Sequence, residues 1–256
     1  MMSYIRAEFY KVFRRTYTWA ALLVLLALEG LLVAGWVFTN ANGNHVDFYT
    51  GAGMLLAMLS LGFYATLLTC DMVFADQYKN GTMKNEVAFG LPRSRIYLGK
   101  FVVELAVSLL FMVVMAGFYL GLCWLFLYRD PAQDALIMQV VGYCLLTALP
   151  LWIGVLACTC AFYFLVRSNL WACLASLCIF MILPTAIGVA GLIVGDTGLR
   201  PVLDFLYQHM PTIMVETAPQ IAGDWATCGQ AWIVGAIWLA VFTAVGLAGF
   251  RKKEIQ

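Results

Sequence analysis

The chain has 256 residues, of which 63% are hydrophobic and 11% are charged, and its formal net charge is +1 at pH 7. No water-soluble domain buries so large an apolar fraction, and continuous rather than alternating apolar runs exclude a membrane β-barrel. The remaining fold class is an all-α membrane protein, because lipid requires each backbone polar group to be satisfied within its own helix. We interpret residues 1–256 as a single transmembrane domain.

Residues 2–15 predict an amphipathic helix that lies on the membrane surface. Ile5, Phe9, Val12 and Phe13 share one helical face, whereas the basic residues of this segment lie largely elsewhere. A helix of this kind binds the anionic headgroups of a leaflet. The alternative is a plain basic anchor in front of the first span.

Six stretches are long and apolar enough to cross the roughly 30 Å hydrocarbon core of a bilayer. Five contain runs without any Asp, Glu, Lys or Arg, and the first is interrupted by Glu29 alone. The even number places both termini on one side of the membrane. The predicted spans are 18–39, 51–75, 96–127, 138–166, 170–194 and 231–249.

The basic residues are sorted by side. Of the 15 Lys and Arg residues, 13 lie in segments that six crossings place together with the termini, and only Arg129 and Arg200 fall on the other side. Cytoplasmic segments of membrane proteins carry such an excess of Lys and Arg. We therefore expect a multi-pass protein of a bacterial plasma membrane with both termini in the cytoplasm.

The segment 76–95 is the long polar connection on the cytoplasmic side. Thr82 is a plausible N-cap for about two helical turns, and Met83, Val87 and Phe89 are apolar residues that could insert into a groove on another protein. The alternative, weighed equally from the chemistry alone, is a solvated loop that supplies positive charge. At the start of the third span, Lys100 and Glu104 are one turn apart and can pair.

The segment 195–230 lies on the outside but is rich in apolar residues. Leu199, Leu203, Leu206 and Met210 repeat at helical spacing. A mobile outer loop would not expose so many apolar side chains. We expect two short helices here that dip back toward the bilayer before the last span.

Glu29 falls near the middle of the first span, where an ionised carboxylate costs several kcal/mol. No Lys or Arg lies at comparable depth in any predicted span, so we expect Glu29 to be protonated or hydrogen-bonded. It would then serve either in a translocation path or in a buried structural hydrogen bond. The hydroxyl partners that residue type allows are Ser60, Thr66, Ser108, Thr147 and Ser176.

The sequence contains no GxxxxGK[ST], no Rossmann glycine pattern and no HExxH. His45 and His209 lie in separate outer loops and build neither a nucleophilic triad nor a metal site. We therefore expect no catalytic residue, no metal ligand, no bound cofactor and no nucleic-acid partner. Any transport must be driven by a gradient or by a partner.

The layout of a basic N-terminal helix, six spans and "FADQYKNGTMKNEVAFGLPRSRIYLGK" between spans two and three resembles permeases of the type-2 ATP-binding-cassette (ABC) exporter family. Family members typically show an acidic residue, a Gly-Thr pair, a Ser-Arg pair and a Lys in this region. Other members carry glutamate at the first of these positions, so the aspartate is a mild departure. The matching positions are Asp76, Gly81, Thr82, Ser94, Arg95 and Lys100.

The resemblance implies that the segment 76–95 holds a coupling helix that contacts a separate ATPase. It also implies two ABC ATPase subunits, which use ATP and Mg, and a second permease chain, identical or homologous. The cargo would be a peptide, a drug or a lipid, with antimicrobial-peptide efflux or immunity favoured. The expected ATPase-coupling residues are Asp76, Lys79, Gly81, Thr82, Met83, Lys84, Glu86, Val87, Arg93 and Arg95.

Two functions of other classes remain as alternatives. A gradient-driven carrier or channel would need ionisable residues at the midplane of the bilayer, and the sequence offers essentially Glu29. The other is a peptide-binding membrane protein that transports nothing.

Overall fold

The computed structural model describes residues 2–74, 82–195 and 198–253, with the side chains of Thr82 and Met83 excepted. Within these ranges the chain is helical, which confirms the all-α class, and its one β-bridge joins Asp47 to Tyr128. The described residues form twelve α-helices: α1 Met2–Arg14, α2 Thr16–Ala41, α3 Phe48–Ala57, α4 Leu61–Phe74, α5 Thr82–Ala88, α6 Arg93–Phe126, α7 Pro131–Leu165, α8 Asn169–Leu177, α9 Leu183–Val194, α10 Arg200–Gln208, α11 Pro211–Thr217 and α12 Trp225–Lys252.

Five helical units of the described chain are long and apolar enough to cross a membrane: α2, α6, α7, the continuous α8–α9 unit and α12. The predicted span 51–75 corresponds to α3 and α4, which are bent by 62° relative to each other and would form a sixth, broken span. Three glycines between positions 51 and 62 lower the helix propensity around this break. The described chain therefore has five continuous candidate spans, and a sixth, broken one if α3 and α4 together count as a span.

Helix α7 is the centre of the molecule. In its most apolar stretch 67% of the residues are buried, against 11% in α2, so α2 lies at the periphery and α7 packs among its neighbours. Helix α12 packs very closely along α7. A Cβ added to Gly235 would lie only 2.3 Å from the carbonyl oxygen of Pro150. A glycine is therefore required at position 235 for the two helices to approach so closely.

The two termini lie at the same end of the molecule. Arg93, at the start of α6, donates to the backbone carbonyls of Phe250, Arg251 and Lys253 at 2.6–2.9 Å. Helix α1 packs against the same part of α6. Segments that the basic-residue pattern assigns to one side are thus in contact, as an even number of crossings requires.

The segment after α9 forms the two short helices expected from the sequence. Helix α10 packs against α9, and α11 packs against α7 and continues into a 3-10 turn at Ala218–Ile221. Their insertion into the bilayer stays a prediction. A π-helical turn, Cys178–Ile182, separates α8 from α9 just before Pro184, which has no N–H to donate to the preceding turn.

Candidate functional site

A buried ion pair fastens the N-terminal helix to α6. Lys100 Nζ lies 2.6 Å from Glu8 Oε2, and both side chains are 2% exposed. Lys11 Nζ lies 2.5 Å from the other oxygen of the same carboxylate. The pairing of Lys100 with Glu104 that the sequence allowed is not formed, because α1 docks on α6 and brings Glu8 next to Lys100. The docking point is Gly99, where a Cβ would lie 2.6 Å from the ring of Tyr4.

Burial and charge act in opposite directions on Glu8. Burial by itself raises the pKa of this carboxyl, but the ion pairs with Lys100 and Lys11 outweigh burial and hold the pKa below its ordinary value of 4.5. For Lys11, burial works to lower the pKa, and the bonds to Glu8 and Glu86 raise it overall. Glu8 is a functional candidate that the sequence reasoning missed. It is the acid of an otherwise basic helix, three residues before a lysine, and that was the available signal.

Helix α5, the candidate coupling helix, is held by one face to the rest of the chain. The Tyr4 hydroxyl donates to Glu86 Oε2 at 2.9 Å, and Lys11 Nζ lies 3.5 Å from Glu86 Oε1. Burial and the nearby Glu8 and Glu86 carboxylates raise the pKa of Tyr4, so it is a neutral donor. Val87 packs against the apolar cluster of α1, α6 and α7. The structure thus turns Val87 toward its own chain rather than toward a partner's groove.

The opposite face of α5 and the turn after it are open. Lys84 and Arg95 are exposed, and 87% of the Phe89 side chain is accessible. Gly90 follows with a φ of +80°, a left-handed conformation that ends the helix and that glycine adopts without strain. The helix and the turn after it therefore expose one aromatic ring, which lies between two exposed basic residues in the sequence.

Arg93 has a structural position at the end of the last helix. Its bonds to three carbonyls near Lys253 satisfy backbone acceptors that the end of α12 leaves without intrahelical partners. The guanidinium also lies 5.9 Å from the centroid of the Phe250 ring. This predicted coupling residue therefore links α6 to α12.

The remaining predicted coupling residues are only partly placed. The backbone of α5 begins at Thr82 itself. Outside the described part of the chain lie Asp76, Lys79 and Gly81, together with the side chains of Thr82 and Met83.

A cavity of about 500 Å³ lies between α2, α3, α4, α6 and α7. Leucines, methionines and aromatic residues form most of its wall, including Met58 and Leu59 at the break between α3 and α4. Glu29 is the one acidic side chain among the described residues that line this cavity, and the same wall holds no Lys or Arg. The predicted path residue therefore faces a partly open, apolar space.

Glu29 lacks the hydroxyl partner that one reading of the sequence required. Its Oε2 atom is buried and has no hydrogen-bond partner within residues 2–74, 82–195 and 198–253. Three of the hydroxyls named by type, Thr66, Thr147 and Ser176, donate instead to carbonyls of their own helices, as Ser and Thr commonly do. Ser108 is bonded to Thr69 at 2.8 Å.

A second buried acid lies behind the wall of this cavity. Glu104 is 0% exposed, and its Oε1 accepts a hydrogen bond of 2.6 Å from the hydroxyl of Thr69. Thr69 and Ser108 both line the cavity, so Glu104 is separated from it by one layer of hydroxyl groups. Its Oε2 atom has no partner in the described structure.

A second cavity, of about 610 Å³, lies between α4, α9, α10 and α11. Its wall includes the charged side chains of Arg200, Asp204 and Glu216. Tyr64 lines both this outer cavity and the cavity at Glu29. The two spaces therefore adjoin at one aromatic side chain.

Comparison with known proteins agrees with this architecture. The family described as "ABC-2 family transporter protein" matches residues 4–186, from the N-terminal helix through the coupling segment and into α9. The curated proteins include no match to the chain. The chain belongs to the ABC-2 transporter family and is a multi-pass, non-catalytic permease subunit of an ABC exporter.

Proposed function

We propose that this permease works with two ABC ATPase subunits, which bind ATP and Mg, and with a second permease chain, identical or homologous. The sorting of Lys and Arg supports an orientation with both termini in the cytoplasm of a bacterium. The hydrogen bonds of Arg93 to the end of α12 support a common location for the termini and the segment 76–95. The cytoplasmic end would then face the ATPases.

The observation that carries this proposal is the two-sided character of α5. Its inner face is tied to the permease through Glu86 and Val87, its other side carries the exposed Lys84, and the exposed ring of Phe89 follows in the turn after the helix. A short helix with an exposed aromatic anchor is suited to a groove on another protein. We therefore propose Lys84, Phe89 and Arg95, together with residues 76–81, as the ATPase contact.

The contacts behind α5 suggest how movement would travel. A displacement of α5 pulls on α1 through Tyr4 and Lys11, and α1 is fixed to α6 by the pair of Glu8 with Lys100. Helix α6 also forms part of the cavity wall. ATP-driven motion at the cytoplasmic end would therefore re-pack the helices that enclose Glu29.

We further propose that the cargo is a peptide, a drug or a lipid-like compound, and we favour antimicrobial-peptide efflux within this set. Glu29 in the inner cavity and Glu216 in the outer one favour positively charged cargo, whereas Asp204 is already paired with Arg200. Glu29 is then a residue of the translocation path.

Co-purification tests the ATPase contact. The tagged permease is isolated with the protein that carries a GxxxxGK[ST] motif, identified by mass spectrometry. Phe89→Ser should remove most of this ATPase, because the exposed ring is its anchor. Phe38→Ser is the matched control. Phe38 is also exposed, at 71%, but it lies near the C-terminal end of α2, the end away from α1. An ATPase retained equally by both variants contradicts the proposal.

The orientation has its own test. A cysteine at position 84, in a background without the exposed Cys178, should react with an impermeant maleimide only after the cells are opened. Labelling of intact cells at this position would place α5 outside and would end the proposal.

A further inference from the structure

The cavity at Glu29 has the size and the wall of a small-molecule site. Its volume of about 500 Å³ falls within the roughly 300–1,000 Å³ range of ligand pockets, which are mostly apolar with a few polar groups. It lies within a single permease chain, between α2, the broken pair α3–α4, α6 and α7. The break between α3 and α4 opens the wall at Met58 and Leu59.

The charge in this wall is unbalanced. Glu29 has a buried oxygen without a hydrogen-bond partner in the described ranges, and no Lys or Arg among the described wall residues can neutralise it. A carboxylate in apolar surroundings is stable only when it is paired or protonated. A cationic ligand would supply the missing partner.

The apolar part of the wall is adaptable and rich in π-systems. Four methionines contribute flexible thioethers, which adjust to ligands of different shape. Aromatic faces attract organic cations through their quadrupoles. The side chains concerned are Met54, Met58, Met112, Met115, Phe111 and Trp152.

We propose that this cavity binds a lipophilic organic cation, with Glu29 as its counter-ion and the methionine and aromatic side chains around its apolar body. Binding itself is argued from the geometry, whereas the role of this cation as exported cargo rests on the proposed function. The site lies inside one chain and does not require the second permease.

The cavity at Glu29 adjoins the second cavity at Tyr64. Tyr64 lies between the inner and the outer cavity and within electrostatic range of Glu216. A rotation of this one side chain would join the two spaces. A cation leaving Glu29 would then meet a second carboxylate on the outer side.

The test uses the full-length chain in lipid nanodiscs without any ATPase. Tetraphenylphosphonium is the probe, and tetraphenylborate, of nearly the same shape and opposite charge, is its control. We expect saturable binding of the cation that Glu29→Gln weakens about tenfold or more, the factor that ~1.4 kcal/mol produces. Asp130→Asn, a matched change at an exposed acid that lines neither cavity, should alter the affinity less than about twofold, a difference of under ~0.5 kcal/mol.

A second variant tests the cavity without changing its charge. Ala116 lines the cavity, so Ala116→Phe should fill the space and reduce cation binding while the carboxylate remains. Equal affinity in wild type and Glu29→Gln, tetraphenylborate binding as tight as cation binding, or no saturable binding because a lipid chain fills the space would each overturn the inference.

Transport by the complete complex separates this inference from the proposed function. Glu29-dependent binding without ATP-driven transport of the cation would leave the cation site standing and refute the cation as exported cargo. ATP-driven transport of another cargo that is unaffected by Glu29→Gln, with no cation binding, would refute the site and leave the exporter role intact.

Discussion

Two regions of this permease each contain a glutamate with a buried carboxylate oxygen, and among the described residues only one of these regions supplies a counter-charge. At the end of the molecule that holds both termini, Glu8 lies between α1 and α6 and is bonded to Lys100 and Lys11. In the interior Glu29 faces an apolar cavity, and its buried oxygen has no partner in the described structure. The chain supplies the counter-charge at the first site and leaves it to a ligand at the second.

The comparison extends to packing. Around Glu8, aromatic side chains of four helices fill the space, with the rings of Phe164 and Phe250 4.8 Å apart and those of Phe74 and Phe164 4.9 Å apart. Around Glu29 the helices stand apart and leave about 500 Å³. The packed region around Glu8, which we call the junction, is fixed and balanced in charge, and it suits the transmission of force. The space around Glu29 is open and unbalanced in charge, and it suits a ligand.

The largest loss of stability is expected when the Glu8 carboxylate loses Lys100, its buried counter-ion. Lys100→Met leaves Glu8 buried with only Lys11 as partner, and the loss of one member of a buried pair costs about 3–5 kcal/mol. We expect a loss at the lower end of this range, since Lys11 remains. The measurement is unfolding in detergent, followed by the reaction of the buried Cys70 and Cys160 with a maleimide.

The double variant Glu8→Leu with Lys100→Met should recover most of this loss, because no charge is then left buried. Lys84→Met is the control at an exposed lysine, and it should change the stability by less than ~0.5 kcal/mol. A Lys100→Met protein as stable as wild type would show that the junction does not depend on its ion pair.

Smaller changes in the free energy of unfolding should distinguish the packing of the junction from that of the cavity wall. A Cβ at Gly246 would lie 2.3 Å from the hydroxyl oxygen of the buried Tyr97, so Gly246→Ala should destabilise the junction by about 1–3 kcal/mol. Gly62 lines the cavity, and a Cβ at this position would meet no other atom within 4 Å, so Gly62→Ala should be neutral or stabilising by up to ~1 kcal/mol. The free energy of unfolding of both variants measures this contrast. Equal losses would mean that the cavity is as tightly packed as the junction.

The hydrogen bond that attaches α5 to α1 should contribute less to stability than the ion pair and the close packing in the junction. Tyr4→Phe removes the hydrogen bond to Glu86 but keeps the ring that packs on Gly99, at an expected cost of about 1 kcal/mol. We expect faster hydrogen exchange in residues 84–90 with little change in α7. Tyr10→Phe is the control on the exposed side of α1, and exchange that is equally fast in both variants would argue against the link.

The smallest change in the free energy of unfolding is expected when the pH is lowered. Because the folded-state pKa of Glu8 is below 4.5, its ionisation stabilises the fold fully above 4.5, and this contribution is lost as the pH falls through the lower folded-state value. The effect is small because burial opposes the two lysines. The gap in unfolding free energy between wild type and Glu8→Gln should narrow on acidification. A gap that stays constant from neutral pH down to about pH 3, below the unfolded-state pKa, would contradict the assignment.

The sequence alone determined the all-α class, the approximate limits of the spans, the two short helices before α12 and the clustering of basic segments at one end. These features follow from local composition, since apolar length and charge are properties of consecutive residues. It also identified Glu29 as exceptional, because a charge inside an apolar run is visible without a structure.

Only the tertiary structure decided which residues meet. The partner of Lys100 is Glu8, 92 positions away, rather than Glu104 on the next turn, since helix docking outweighs local spacing. The break between α3 and α4, the cavity beside it and the inward turn of Val87 likewise depend on how helices distant in sequence pack together. Hydrophobicity places a helix in the bilayer, but side-chain shape and the pairing of buried charges fix its neighbours.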